Sequence, residues 1–155
     1  MKGWKLVPPP KPVIKQWPES VPKVVVNDFT EASLIVELSP KAAAALARRC
    51  LQTIIRLRYD ISEKTLWQEI QKLKGKVDEL TWSAIDALRE IGNIGAHPEK
   101  DPTIIIDISY EDASMLLELV ERLMEDWYVN RYAKEALPKA IVDLAAEIKR
   151  LKEGH

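Results

Sequence analysis

The sequence predicts an all-α fold, an antiparallel helical bundle of five to six helices behind an extended, proline-rich N-terminal arm. Three observations predict it. After Val26, apolar residues recur at three- and four-residue spacing through most of the chain. Only five glycines occur, and two of them, Gly92 and Gly95, sit close together where a helical pattern weakens. Six of the ten prolines fall in the first 22 residues: Pro8, Pro9, Pro10, Pro12, Pro18 and Pro22. Proline fixes φ and removes a donor, so that stretch reads as extended chain.

The elements follow in order. Residues 1–27 form the arm and residues 28–153 a single helical domain. Trp4 and Trp17 lie in the arm, and exposed tryptophans are costly, so the arm is expected to dock with at least Trp17 buried. Thr30 can cap a first helix through Ala32, Ile35 and Leu38. Ser39-Pro40, an N-cap followed by proline at the first helical position, opens a second that runs to about Tyr59. Its apolar side is Ala43, Leu46, Ala47, Cys50, Leu51, Ile54 and Leu57. A third helix starts at Ser62 or Thr65, carries Leu66, Trp67, Ile70 and Leu73, and stops near Gly75. Thr81 caps a fourth with Ile85, Leu88 and Ile91 facing in. Residues 98–108 connect, and Thr103–Ile106 has a strand-like composition without an evident partner. Ser109 and Asp112 form a capping box for a long helix with Leu116, Val120, Leu123 and Trp127. Pro138 starts the last helix, where Leu137, Ile141, Leu144, Ile148 and Leu151 repeat at 4-3-4-3 spacing.

Composition narrows the function classes. At 155 residues and 46% apolar, the chain can bury a core, and its 30% charged content argues against wholesale disorder. Lys+Arg total 23 and Asp+Glu 24, which excludes a generally basic nucleic-acid coat and a polyacidic tail. No apolar run is long enough to span a bilayer, and the start lacks an apolar signal core, so a cytoplasmic location without membrane contact is expected. One cysteine and one interior histidine, with no HExxH or CxxC spacing, predict neither metal nor cofactor.

One constellation can carry chemistry. Arg89, Asn93 and His97 stand four apart, a slanting polar row on an otherwise apolar helix. Arg89 can lean toward Asn93, and Asn93 can bond the His97 ring. As structure, the row satisfies backbone groups at a helix C-terminus, where a histidinium is also favoured by the dipole. As chemistry, it is half of a phosphodiester-cleaving site, with histidine moving protons and arginine stabilising the phosphorane. Charge is also segregated. Residues 41–58 hold Lys41, Arg48, Arg49, Arg56 and Arg58 and no acid, whereas residues 107–126 hold seven acids against Arg122. The two helices are either complementary neighbours, or Arg48, Arg49 and Arg56 mark a nucleic-acid footprint.

The run Ser39-Pro40-Lys41-Ala42-Ala43-Ala44-Ala45-Leu46-Ala47-Arg48-Arg49, then Leu88-Arg89-Glu90-Ile91-Gly92-Asn93-Ile94-Gly95-Ala96-His97-Pro98, then an acid-rich helix led by Ile108-Ser109, resembles the domain of unknown function 4145 over about residues 20–132. That family is similar to the HEPN superfamily of helical domains. The resemblance implies a bundle that often dimerises, in the company of bacterial restriction, toxin–antitoxin and other anti-phage systems. Many HEPN proteins are metal-independent ribonucleases that use Arg-Asn/Asp/His-x-x-x-His from two subunits. Asn93 and His97 match that motif, Gly92 stands in the arginine position, and Arg89 lies one turn earlier. The expectation is a non-enzymatic HEPN-like interaction module in a defence or mobile-element setting. It is expected to be a homodimer, with its arm available to a protein partner. The rival expectation is a ribonuclease with Arg89, Asn93 and His97 as its catalytic residues. A nucleotide or nucleic-acid binder without catalysis is a third.

Overall fold

The computed structural model describes residues 14–96 and 107–154, and among these the protein is all-helical. Six α-helical segments form: α1 (Lys23–Ile35), α2 (Pro40–Tyr59), α3 (Leu66–Leu73), α4 (Glu79–Ala96), α5 (Tyr110–Met124) and α6 (Arg131–Glu153). A π-helical turn, Glu125–Asn130, joins α5 to α6, so the last two make one long rod.

The second helix is the hub, packing on α1, α3, α4 and α5. Its start is the one the sequence predicts. The Ser39 hydroxyl accepts from the Ala42 amide at 3.3 Å, and Pro40 occupies the first turn. Asp60 ends it at φ 53°, a left-handed conformation that aspartate tolerates. Ala43, Ala44 and Ala47 are fully buried, and these small residues let neighbouring helices approach closely. Leu51, Ile54 and Ile55 supply the bulk of the core beside them.

Two helix starts in the body, besides that of the last helix, differ from expectation. The first helix begins at Lys23 rather than at Thr30, because Val25, Phe29 and Ala32 form a buried i, i+4, i+7 stripe that opens before Thr30. Burial of that stripe overrides the strand preference of Val24–Val26. The chain ends this helix before Leu38, which is 87% exposed. At α4 the cap is Asp78 rather than Thr81. Its carboxylate accepts from the Thr81 amide at 2.9 Å and from the Thr81 hydroxyl at 2.6 Å. Those bonds hold the Asp78 carboxyl below its ordinary range. Elsewhere local signals act as read: Thr65 caps α3, and Ser109 and Asp112 form the reciprocal capping box of α5.

The last helix is the largest departure. Pro138 lies inside α6 rather than at its start. The rod continues from α5 through the π-turn, and no α6 residue is buried. The turn brings the consecutive aromatics Trp127 and Tyr128 back onto the body. Trp127 stands edge-on to Tyr59 at 5.1 Å, and Arg58 Nε donates to the Trp127 carbonyl at 3.2 Å. A π-turn adds one residue to the ladder and so rotates everything after it by about 100° relative to α5. The stripe that packs α5 into the core therefore does not carry on into α6.

Residues 1–13 and 97–106, with the arm's prolines up to Pro12 and the strand-like Thr103–Ile106, lie outside the described residues. Of the arm, residues 14–18 have no regular structure. Trp17 is half-buried edge-on to Phe29, with ring centroids 5.8 Å apart. Lys15 reaches Glu121 on α5 and Glu125 at the start of the π-turn. Burial works against its ammonium, but the two carboxylates outweigh that and raise its pKa. This short segment thus straps α1 to α5.

Candidate functional site

The polar row stands on α4. Arg89 is mostly covered, with its side chain 17% exposed. Its guanidinium does not lean toward Asn93. Nε donates to Asp86 at 3.0 Å, and a second nitrogen lies 3.5 Å from Glu90. Helical side chains point toward the N-terminus, so an arginine meets the carboxylate three residues before it more readily than the amide four residues after it. Asn93 is half-buried on the same helix. His97 lies outside the described residues.

Gly92 sits where α4 touches α2, and the site turns on this contact. A Cβ placed there would stand 2.6 Å from the Cβ of Arg48 and 3.0 Å from the Ala44 carbonyl oxygen. Both atoms belong to the rigid part of α2, so a larger residue would push the helices apart. The weakened helix pattern around Gly92 was the sequence signal, but its packing partner could not be read from it. Position 92 faces α2, while Arg89 is held by its own helix.

The five cations of the second helix do not form one basic face. Each reaches a different neighbour. Arg48 lies over Gly92 of α4, its Nε buried without a hydrogen-bond partner. Arg49 Nε stands 3.6 Å from the buried Asp28 carboxylate of α1. Arg56 Nε donates at 2.6 Å to Glu69 of α3, whose fully buried carboxylate also accepts from Gln52 at 3.1 Å and the Glu63 amide at 3.2 Å. Arg58 holds the π-turn, and Lys41 lies 3.8 Å from Asp107. The basic and acidic helices are indeed neighbours, but of these cations only Lys41 is paired within the acidic stretch. Sequence reading missed Glu69 as the anchor of Arg56, because its burial depends on how α3 folds over α2.

Cys50 is buried too, with Sγ 3.7 Å from the Val25 carbonyl. Burial, and then the nearby Asp28 charge, push its pKa up to about 12. Among the described residues no group of three or more His, Cys, Asp or Glu is placed to hold a metal, and no helix is long and apolar enough to cross a membrane.

At the base of α6, an open cleft of about 540 Å³ is lined by Arg58, Trp127, Arg131, Lys134, Glu135 and Lys139, among others. Beyond it the 4-3-4-3 seam is bare. Leu137 is 68% exposed, Ile141 58%, Leu144 56%, Ile148 45% and Leu151 62%. Near the start of α6, Glu135 pairs with both Arg131 and Lys139 at i, i+4 spacing.

A family model described as a domain of unknown function matches residues 30–153, which is most of the chain. The chain belongs to the DUF4145 family. The DUF4145 match opens inside α1 and runs to the end of α6, so it takes in the bare seam. No curated protein and no solved structure matches the chain.

Proposed function

We propose that this DUF4145 chain is a non-enzymatic, HEPN-like interaction and dimerisation module of a bacterial or phage defence or mobile-element system. One observation carries it. Five apolar residues at coiled-coil spacing stand on a helix that buries nothing of its own, within the unit that the family match covers. The packing of Gly92 supports the non-enzymatic half, since the place of the motif's arginine is filled by the α2 contact. Arg89, which would have to substitute, is occupied by Asp86 and Glu90.

Sedimentation at micromolar concentration should give roughly twice the 17.7 kDa chain mass. Ile141→Glu should yield a folded monomer, because α6 contributes nothing to the core. A wild-type monomer throughout that range overturns self-association. Metal-independent cleavage of RNA by the wild type, leaving 2′,3′-cyclic phosphate ends and lost in His97→Ala, would make the chain a ribonuclease instead.

A further inference from the structure

The stripe on α6 has one heptad register: Ile141 and Ile148 at a, and Leu137, Leu144 and Leu151 at d. Within a parallel coiled coil, isoleucine at a with leucine at d favours two strands over three or four. The flanking positions carry their own information. Ala140 and Glu147 fall at g, and Pro138, Ala145 and Lys152 at e. All are exposed in the single chain.

In a parallel pair, g faces the e position of the following heptad on the other strand. Glu147 then meets Lys152 of the second copy, and symmetry makes the pair twice. An antiparallel pair joins g to g and e to e. Its two fullest registers set Glu147 against Glu147, or Lys152 against Arg131, and both are like-charged. Alanine at g140 and e145 leaves room for close approach. Upstream, the next core positions are Lys134 at a and Asn130 at d, so apolar pairing ends at Leu137.

We propose that α6 pairs with α6 of a second copy as a short parallel two-stranded coiled coil over residues 137–151, a deepening that rests on the dimerisation reading above. Parallel pairing puts both bodies at the same end, beyond the unpaired Lys134 layer, where the two basic-rimmed clefts also lie.

The test fixes orientation separately from association. Leu151→Cys, oxidised in air, should give a covalent dimer on a non-reducing gel, while the wild type, whose Cys50 is buried, should not. Glu147→Lys should weaken the dimer about tenfold by sedimentation, and adding Lys152→Glu should restore it. A dimer that neither crosslinks through position 151 nor responds to the charge swap overturns the parallel register and leaves dimerisation standing. A wild-type monomer at every micromolar concentration overturns both.

Discussion

Replacing Gly92 tests the α2–α4 contact, and the sign of the effect is diagnostic. At an open site inside a helix, glycine to alanine stabilises by about 0.8–1 kcal/mol. Here the new Cβ would stand 2.6 Å from Arg48 Cβ and 3.0 Å from the Ala44 carbonyl, so the helices must separate by several tenths of an ångström. Overpacking of this kind costs about 1–3 kcal/mol, and it falls on fully buried neighbours, Ala44 and Ala47. The balance is a net loss of about 1 kcal/mol for Gly92→Ala. Gly92→Arg, which restores the arginine of the ribonuclease motif, adds a long cation to the same space and should cost more than about 3 kcal/mol. Urea unfolding followed by circular dichroism measures both. Arg48→Gly removes the nearest atom, so a double-mutant cycle with Gly92→Ala should show coupling of about 1 kcal/mol. If Gly92→Ala raises stability by the full helix-propensity gain, the close approach does not exist. A folded Gly92→Arg protein that cleaves RNA would refute the argument from the other side.

Two further outcomes follow from buried groups. Trp17→Ala should cost about 2 kcal/mol, roughly half the loss at a fully buried aromatic, since the ring is half-covered by Phe29 and Lys15. Trp17→Phe should be nearly neutral, because the Trp17 Nε1 is buried without an acceptor. Equal losses in the two variants would show that the ring's fit against α1 is unimportant. Cys50 rises from 9.0 to about 12 through burial and the Asp28 charge. Because the folded value is the raised one, its contribution is present below pH 9 and is lost as pH climbs toward 12, at about 1.4 kcal/mol per unit. Tyr128, also raised by burial to about 12 although Arg58 opposes it, adds to the loss above pH 10. Urea midpoints should fall from pH 9 to 11, less steeply in Cys50→Ala. A flat profile would mean that the thiol is not desolvated.

The parts of the fold legible in the sequence were those fixed by neighbours within one turn. Ser39-Pro40, Thr65 and the Ser109–Asp112 box all start helices where local hydrogen bonding says they should. What escaped was set by tertiary contact. The first helix starts at Lys23 because Val25 and Phe29 are covered by other elements. Pro138 reads as a helix start, yet α6 runs through it from the π-turn, which Trp127, Tyr59 and Arg58 hold. At the candidate site, spacing alone placed Arg89 and Asn93 on one helix. The direction in which a helical side chain leans decides that Arg89 meets Asp86. For the cations of α2, spacing places Arg49 and Arg56 on one side of the helix, but the acid each one meets, Asp28 of α1 and Glu69 of α3, is set by tertiary packing.

Stability and association are separable in this molecule. Among the described residues, every buried apolar one lies between Val21 and Met124, and α6 adds none. Thermal or urea unfolding of the body should therefore be indifferent to the seam except through the mass action of pairing. Unfolding midpoints that rise with protein concentration in the wild type, and stop doing so in Ile141→Glu, would be the signature of that division. The π-turn makes it possible. On a straight α-helix the α6 stripe already drifts about 60° from its α5 equivalents over three heptads, and the added residue turns it about 100° further from the core. The same turn draws Trp127 onto Tyr59, so the joint is anchored where the rod leaves the body. The aromatic contact and the free seam are two consequences of one backbone feature.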